Sequence, residues 1–476
     1  MLFTSLEFLL FFLPVVYGVN FLLRGKARNY WLFLASLFFY AWGEPTFVLV
    51  MLGSIGMNYL MALGIEKGRP GKSRGLLVLA LAANLLLLIV FKYLNFLTET
   101  IHALLPGTKS LFPQTRIALP LGISFFTFQS ISYIIDVYRG TPVQRNPAYL
   151  GLYISLFPQL IAGPIVRYST IAEEINGRTI TYSDFSEGVF IFLRGFNKKV
   201  LLANVLAEAA DKAFGMTDQS VCMAWFGAFC YALQIYFDFD GYSEIAIGLG
   251  RTLGFHFESN FDHPYASATL SEFWRRWHIS LGRWFRDYVY FPLGGSRVSG
   301  RGKLIRNLML VWLLTGIWHG AAWTFILWGI FLGVLITAEK LLEIPQRLKK
   351  RRRGLPHLLY RILVLFLVVL GWVLFRANHL AQAGLYLRSM FGLNGNRFLD
   401  DTFCFYGREY LTVFLAGILG ALPTVRRIKD GVRNHGHIRL ADFLDVLTPW
   451  VQLILFIVSV SCLIMGAHNP FIYFNF

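Results

Sequence analysis

LLTGIWHGAAWTFILWG, residues 313–329, is apolar on both sides of a single ionisable side chain, His319, with glycines at Gly316, Gly320 and Gly329. It lies inside Ile305–Lys340, a largely apolar run long enough for two passes through a bilayer, because one transmembrane helix takes about twenty such residues. The break between the passes falls around Gly316–Gly320. The same test applied outward finds candidate spans at Leu6–Leu23, Thr46–Ile65, Gly75–Leu97, Ile117–Ile135, Leu150–Val166, Phe185–Leu206, Val221–Phe237, Leu358–Phe375, Tyr410–Leu422 and Val446–Gly466, with a shorter one at Tyr30–Trp42. The expectation is an all-α polytopic membrane protein with roughly ten to thirteen passes.

Composition agrees. Of 476 residues, 56% are hydrophobic, 17% aromatic and only 15% charged. A soluble chain carries about a quarter charged residues, and the same figures exclude disorder, coiled coil and collagen. The 44 Lys+Arg against 27 Asp+Glu leave +17. On a soluble protein that excess would suggest nucleic acid; here it reads as loops against anionic lipid. Segments read as cytoplasmic or interfacial hold 28 of the 44: Arg24–Arg28 three, Lys67–Arg74 four, Arg275–Arg306 eight, Lys340–Arg361 eight and Arg426–Arg439 five. The positive-inside rule then puts the N-terminus outside, and the loop with Asp400, Asp401 and Glu409 on the outer face. With no Lys or Arg before Leu23 and no small-residue cleavage site, the first span reads as retained rather than as a signal peptide. The cysteines, Cys222, Cys230, Cys404 and Cys462, are scattered, with no zinc or disulfide spacing, and neither a P-loop nor GxGxxG occurs.

The densest polar stretch contains SEFWRRWHISLGRWFRDYVYFPLGGSR, residues 271–297. Wound at 100° per residue, Trp274, Trp277, Leu281, Trp284, Phe285 and Tyr288 share one stripe. Arg275, Arg276, Arg283 and Arg286 fall opposite. That predicts a continuous helix over 274–288 lying in the membrane interface, with His278 at the stripe's edge and pointing into the protein. A hydrogen-bonded filler and a functional group are both open readings for His278. His319 is the sharper candidate, since an ionisable side chain in so apolar a setting is costly and burial keeps imidazole neutral and able to take a proton. Its flanking glycines would admit a substrate or another helix; a structural histidine is the plain alternative. Asp238 and Asp240 in IYFDFDGYS interrupt an apolar run; they would cap or hydrogen-bond within the bundle, or bind a cation, and capping is the preferred reading. Pro158 and Gly163-Pro164 should break a span, as in helices that line cavities. Gly294-Gly295-Ser296-Arg297 offers bare N–H groups that would cradle a phosphate, or simply turns against headgroups. These features suit group transfer across the bilayer better than transport.

LPLGISFFTFQSISYIIDVYRG (119–140), FPQLIAGPIVRY (157–168), FDFDGYSEIAIGLGRTLGF (237–255), EFWRRWHISLGRWFRDYVYFPLGGSR (272–297) and TGIWHGAAW (315–323), in that order, resemble the membrane-bound O-acyltransferase (MBOAT) family, in particular its bacterial branch around alginate O-acetyltransferase. The resemblance extends to the terminal NPFIYFNF. It implies one domain over 1–476, with N-terminal helices over 1–116, a catalytic core over 117–340 and C-terminal helices over 341–476. About eleven membrane helices would surround a funnel or tunnel, with interfacial and re-entrant helices. It implies catalytic roles for His319 and His278: His319 as the base, and His278 bonded to the acceptor or to the thioester carbonyl. Trp318, Trp277, Arg275, Arg276 and Arg297 are the expected substrate-binding residues. No metal and no permanent cofactor are expected. Coenzyme A phosphates or an acyl carrier protein would be drawn to the basic segment. The activity implied is transfer of an acyl group, most simply acetyl, from a cytoplasmic thioester such as acetyl-CoA toward an extracytoplasmic polysaccharide at the bacterial inner membrane, with an SGNH-hydrolase-like partner. D-alanyl transfer to teichoic acid, a polymer-precursor transporter and a docking scaffold are the other readings.

Overall fold

The computed structural model describes residues 1–105, 107, 116–350, 354–434 and 438–466. The terminal NPFIYFNF and residues 351–353 and 435–437 of the basic stretches lie outside the described residues. Among those described there are helices and turns but no strand. Residues cluster into two compact units, 1–189 with 246–258, and 190–245 with 259–476, the long helix Val221–Thr252 contributing to both. Among the described residues six helices are long and apolar enough to cross a membrane: Phe47–Lys67, Pro70–Leu104, Val221–Thr252, Trp323–Leu341, Leu355–Arg376 and Asp442–Ile464. Two shorter apolar helices are Phe8–Leu22 and Leu411–Ala421.

The departures from the expected spans have local causes. The run expected at Ile117–Ile135 becomes helical only at Ile123, after Gly122 turns the chain at φ +73°, where an added Cβ would stand 2.8 Å from the Leu160 carbonyl oxygen. Leu150–Val166 is broken as its prolines predict: one helix ends at Ser155, a single turn covers Phe157–Leu160, and the chain then runs irregularly past Gly163-Pro164.

In the first unit, buried amides join neighbouring helices. Asn84 Nδ2 donates to Asn58 Oδ1 at 2.8 Å, and Asn58 Nδ2 returns a bond to Asn84 Oδ1 at 3.2 Å. Such pairs leave no amide unsatisfied in an apolar setting.

In the second unit, Asp238 and Asp240 follow the alternative reading, bonding within the bundle, and correct the preferred one. They cap nothing; the helix runs straight through them to Thr252. A π-helical turn at Lys198–Ala203 brings cations to them. Lys199 Nζ meets Asp238 at 2.5 Å, Lys198 Nζ meets Asp240 at 2.6 Å and Glu244 at 2.9 Å, and Arg194 meets Glu244 at 2.7 Å. Glu244, one turn beyond Asp240, therefore joins the two aspartates in an acidic row answered by three cations. The backbones approach closely because Gly195 faces Gly241: a Cβ on Gly195 would lie 2.6 Å from the Gly241 carbonyl oxygen.

Candidate active site

The site lies in the second unit, around the two histidines. His319 is the last residue of the helix Arg301–His319; the chain then turns through Gly320 and returns as Trp323–Leu341. The hairpin closes on glycine. A Cβ on Gly316 would sit 2.4 Å from the Phe325 carbonyl oxygen, one on Gly329 2.5 Å from that of Trp312, and one on Gly320 2.2 Å from the Phe325 ring. Gly316 and Gly320, and Gly329 and Gly333, keep the four-residue spacing that lets helices in lipid meet backbone to backbone. The glycines thus seat a second helix. They hold the buried His319 imidazole 5.1 Å from the Trp328 ring and 5.2 Å from Phe375, both edge-on.

The continuous helix expected over 274–288 does not form. A helix runs from Leu270 to Arg276, Trp277 is extended, His278 adopts a left-handed conformation at φ +45° and ψ +54°, and a second helix starts at Ile279. Left-handed backbone costs a non-glycine residue roughly 1–2 kcal/mol. What holds it is a brace from residues 260–262. Ile279 N–H donates to the Asn260 carbonyl at 2.9 Å and Asp262 N–H to that of Arg276 at 3.0 Å. The Asn260 side-chain Oδ1 accepts from Ser280 Oγ at 2.7 Å and Ser280 N–H at 3.2 Å. Upstream, the N-cap Thr269 Oγ1 accepts from Glu272 N–H, the Glu272 carboxylate accepts from Ala268 N–H, and the buried Glu339 carboxylate accepts from Leu270 N–H and Ser271 N–H at 2.8 Å each. Periodicity could not register these long-range bonds. The aromatic stripe turns inward: Trp277, Leu281, Trp284, Phe285 and Tyr288 are buried within the protein rather than laid on lipid.

Breaking the helix brings His278 to the same cavity as His319. The cavity holds about 170 Å³ and is lined by both histidines, Thr315, Trp274, Trp277 and Trp312, with Leu281, Gly282, Phe285 and Val311 completing the wall. Among the described residues no acidic or basic side chain apart from the imidazoles lines it. His278 stands edge-on to Phe239 at 4.6 Å, and Trp318 packs near both histidines, 5.8 Å from His278 and 5.0 Å from His319. Burial, reinforced by His319 nearby, holds the His278 imidazole well below its ordinary range, so it is neutral at physiological pH.

Of the expected binding residues, Trp277 lines the cavity and Trp318 backs it, while the three arginines lie elsewhere. Arg275 is exposed and bonds the Ser271 carbonyl, Arg276 pairs with Glu272 at 2.8 Å, and Arg297 projects from an exposed turn. That turn also corrects the idea of bare N–H groups: Gly294, Gly295 and Arg297 donate to the carbonyls of Phe291, Tyr290 and Gly294. Among the described residues no group of three or more His, Cys, Asp or Glu is placed to hold a metal ion. Sequence reasoning missed Asn260 and Thr315. Asn260 carries no local signal, whereas Thr315 stands one turn before His319 and could have been found by helical spacing.

Residues 145–348 match the family model described as MBOAT, membrane-bound O-acyltransferase family. The chain is 40% identical to a protein of Pseudomonas putida described as probable alginate O-acetylase AlgI, over the full length of both. It is 34% identical to the peptidoglycan O-acetyltransferase of Helicobacter pylori, covering all of this chain and 98% of that one. Similarity to the teichoic acid D-alanyltransferase of Bacillus subtilis is 27%, over 54% of this chain and 67% of the other.

Proposed function

Since the chain belongs to the membrane-bound O-acyltransferase family and is an acyltransferase of the membrane, we propose that it moves an acetyl group from a cytoplasmic thioester toward a polysaccharide hydroxyl on the far side. The observation that carries this reading is the convergence of two buried imidazoles on one small, otherwise uncharged cavity. In the reaction a hydroxyl oxygen attacks the thioester carbonyl, a C–O bond forms, the C–S bond breaks, and the hydroxyl proton ends on the departing thiolate. The thioester is already activated. What the enzyme adds is a group to take the hydroxyl proton and pass it on, a partner for the carbonyl oxygen, and exclusion of water. We assign the base to His319, and to His278, on the same cavity, a hydrogen bond to either the acceptor or the thioester carbonyl.

The size and lining of the cavity favour acetyl. An enclosed cavity of about 150 Å³ binds benzene, so the space of about 170 Å³ beside the histidines is of a size for a short acyl group. A D-alanyl group brings an ammonium, and no carboxylate lines the cavity to meet it. The basic segment with Arg275, Arg276, Arg297, Arg301 and Lys303 supports capture of an acidic donor such as acetyl-CoA or an acyl carrier on the cytoplasmic side. On this reading the N-terminus lies outside the inner membrane, and an SGNH-like partner completes transfer to the polymer.

The test uses the full-length protein in polymer-producing membranes supplied with radiolabelled acetyl-CoA. His319→Ala and His278→Ala should each lower polymer labelling by about 10²–10⁴-fold, the range of general acid–base contributions, while insertion and melting temperature are retained. Undiminished labelling in His319→Ala would sink the assignment. Polymer export without acetyl transfer by the native protein would point to a transporter instead.

A further inference from the structure

Asn260 is 1% exposed and does not itself line the cavity; its side chain bonds Ser280 and faces His278, which does line it. Its amide orientation is fixed by chemistry. Ser280 N–H can only donate, so the Asn260 atom facing it at 3.2 Å is the oxygen, and Nδ2 then donates to Ser243 Oγ at 3.0 Å. The same oxygen lies 3.3 Å from His278 Nδ1. Facing an oxygen that only accepts, Nδ1 must carry the proton. In a neutral imidazole the other nitrogen is then the acceptor, and His278 Nε2 has no hydrogen-bond partner among the described residues.

We propose that Asn260 is a positioning residue: it locks His278 as the Nδ1–H tautomer and in its left-handed backbone, so that Nε2 offers a lone pair to an O–H of the acceptor and not a proton to the thioester carbonyl. This rests on the acyltransferase reading of the cavity, and it narrows the two roles that His278 has there to one. A nitrogen without hydrogen cannot stabilise an oxyanion, whereas it can orient a sugar hydroxyl. The side chains packed on the ring from the helices Val221–Thr252 and Arg301–His319, Phe239 and Trp318, are uncharged, and the titratable group that acts on it is His319.

The test compares Asn260→Leu with Asn260→Asp in the full-length protein, in polymer-producing membranes with radiolabelled acetyl-CoA, across a pH series. Leucine removes the acceptor that selects the tautomer, and labelling should fall by about 10–100-fold. Aspartate still accepts from Nδ1–H and Ser280 but adds a negative charge, which favours the imidazolium. It should retain most of the maximal rate while the acid limb of the pH profile moves up by about one unit or more. Two results would overturn the proposal: an unchanged rate in Asn260→Leu, or equal losses in both variants with the acid limb unmoved, which is the pattern of a merely structural residue. Full activity in His278→Gln and His319→Gln would instead overturn the reading of the cavity on which the proposal depends.

Discussion

Gly282 offers a way to plug the cavity without disturbing the fold. It lies within the helix Ile279–Phe285, lines the cavity, and a Cβ added there meets no atom within 4 Å. Replacing a glycine in a helix gains up to about 1 kcal/mol of propensity, so Gly282→Leu should keep or slightly raise the melting temperature. Leucine adds four carbons to a space of about 170 Å³, not much larger than one that just accommodates benzene. Too little remains for an acyl group beside a hydroxyl. Even a 1 Å displacement of reacting groups can cost about 10²-fold, so acetyl transfer should fall by at least roughly that factor. A series Gly282→Ala, Val and Leu should show graded loss, read as polymer labelling from acetyl-CoA alongside melting in detergent. Wild-type transfer by a folded Gly282→Leu would refute the placement of the chemistry in this cavity.

Three other perturbations follow from the packing. Lys199→Met removes the cation 2.5 Å from the Asp238 carboxylate, both side chains being no more than 3% exposed, and should cost about 3–5 kcal/mol in unfolding experiments; adding Asp238→Leu should recover much of it. Gly316→Leu forces the hairpin apart at a point where a Cβ would stand 2.4 Å from the Phe325 carbonyl oxygen, and should lower both stability and transfer, whereas Gly302→Ala, with open space around it, should change neither. In the first unit His256 bonds Glu174 at 2.8 Å and Asp184 at 3.2 Å. Partial burial opposes the imidazolium, but those two carboxylates outweigh it and raise the His256 pKa, while bonds from Thr181 and His256 hold Asp184 down at about 2. The His256 contribution is therefore full below the ordinary imidazole value of 6.5 and fades as pH rises through the elevated one. That of Asp184 is full above 3.8 and fades as pH falls toward 2. Melting of His256→Gln against wild type should differ at pH 5–6 and converge by about pH 9.

What the sequence made legible was whatever local pattern determines. The hairpin around His319 followed from an apolar run and its glycines, and the broken span from Pro158 and Gly163-Pro164. The inward direction of His278 followed from its place on the aromatic stripe. The break at His278 did not, because a period of 3.6 continues undisturbed through a residue whose backbone is set by Asn260, eighteen positions upstream. The same limit made capping the preferred reading of Asp238 and Asp240 over bonding within the bundle. Two carboxylates in an apolar run look like an interruption until the cations that answer them are known, and those sit about forty residues earlier on a π-helical turn. The basic residues proved the least informative guide to the cavity, since charge in a membrane protein records topology before it records chemistry.

The tryptophans have a practical consequence. Trp274, Trp277 and Trp312 line the cavity, Trp318 lies near both imidazoles, and Trp328 and Trp372 pack behind them, which accounts for six of the chain's twelve. Much of the protein's ultraviolet emission therefore originates within reach of the reacting groups. On the proposed assignment, a thioester entering the cavity should change the surroundings of these indoles, and a proton arriving on either imidazole should alter quenching in its neighbours. The enzyme carries its own optical reporter, and stopped-flow fluorescence on unlabelled protein can follow donor arrival separately from transfer.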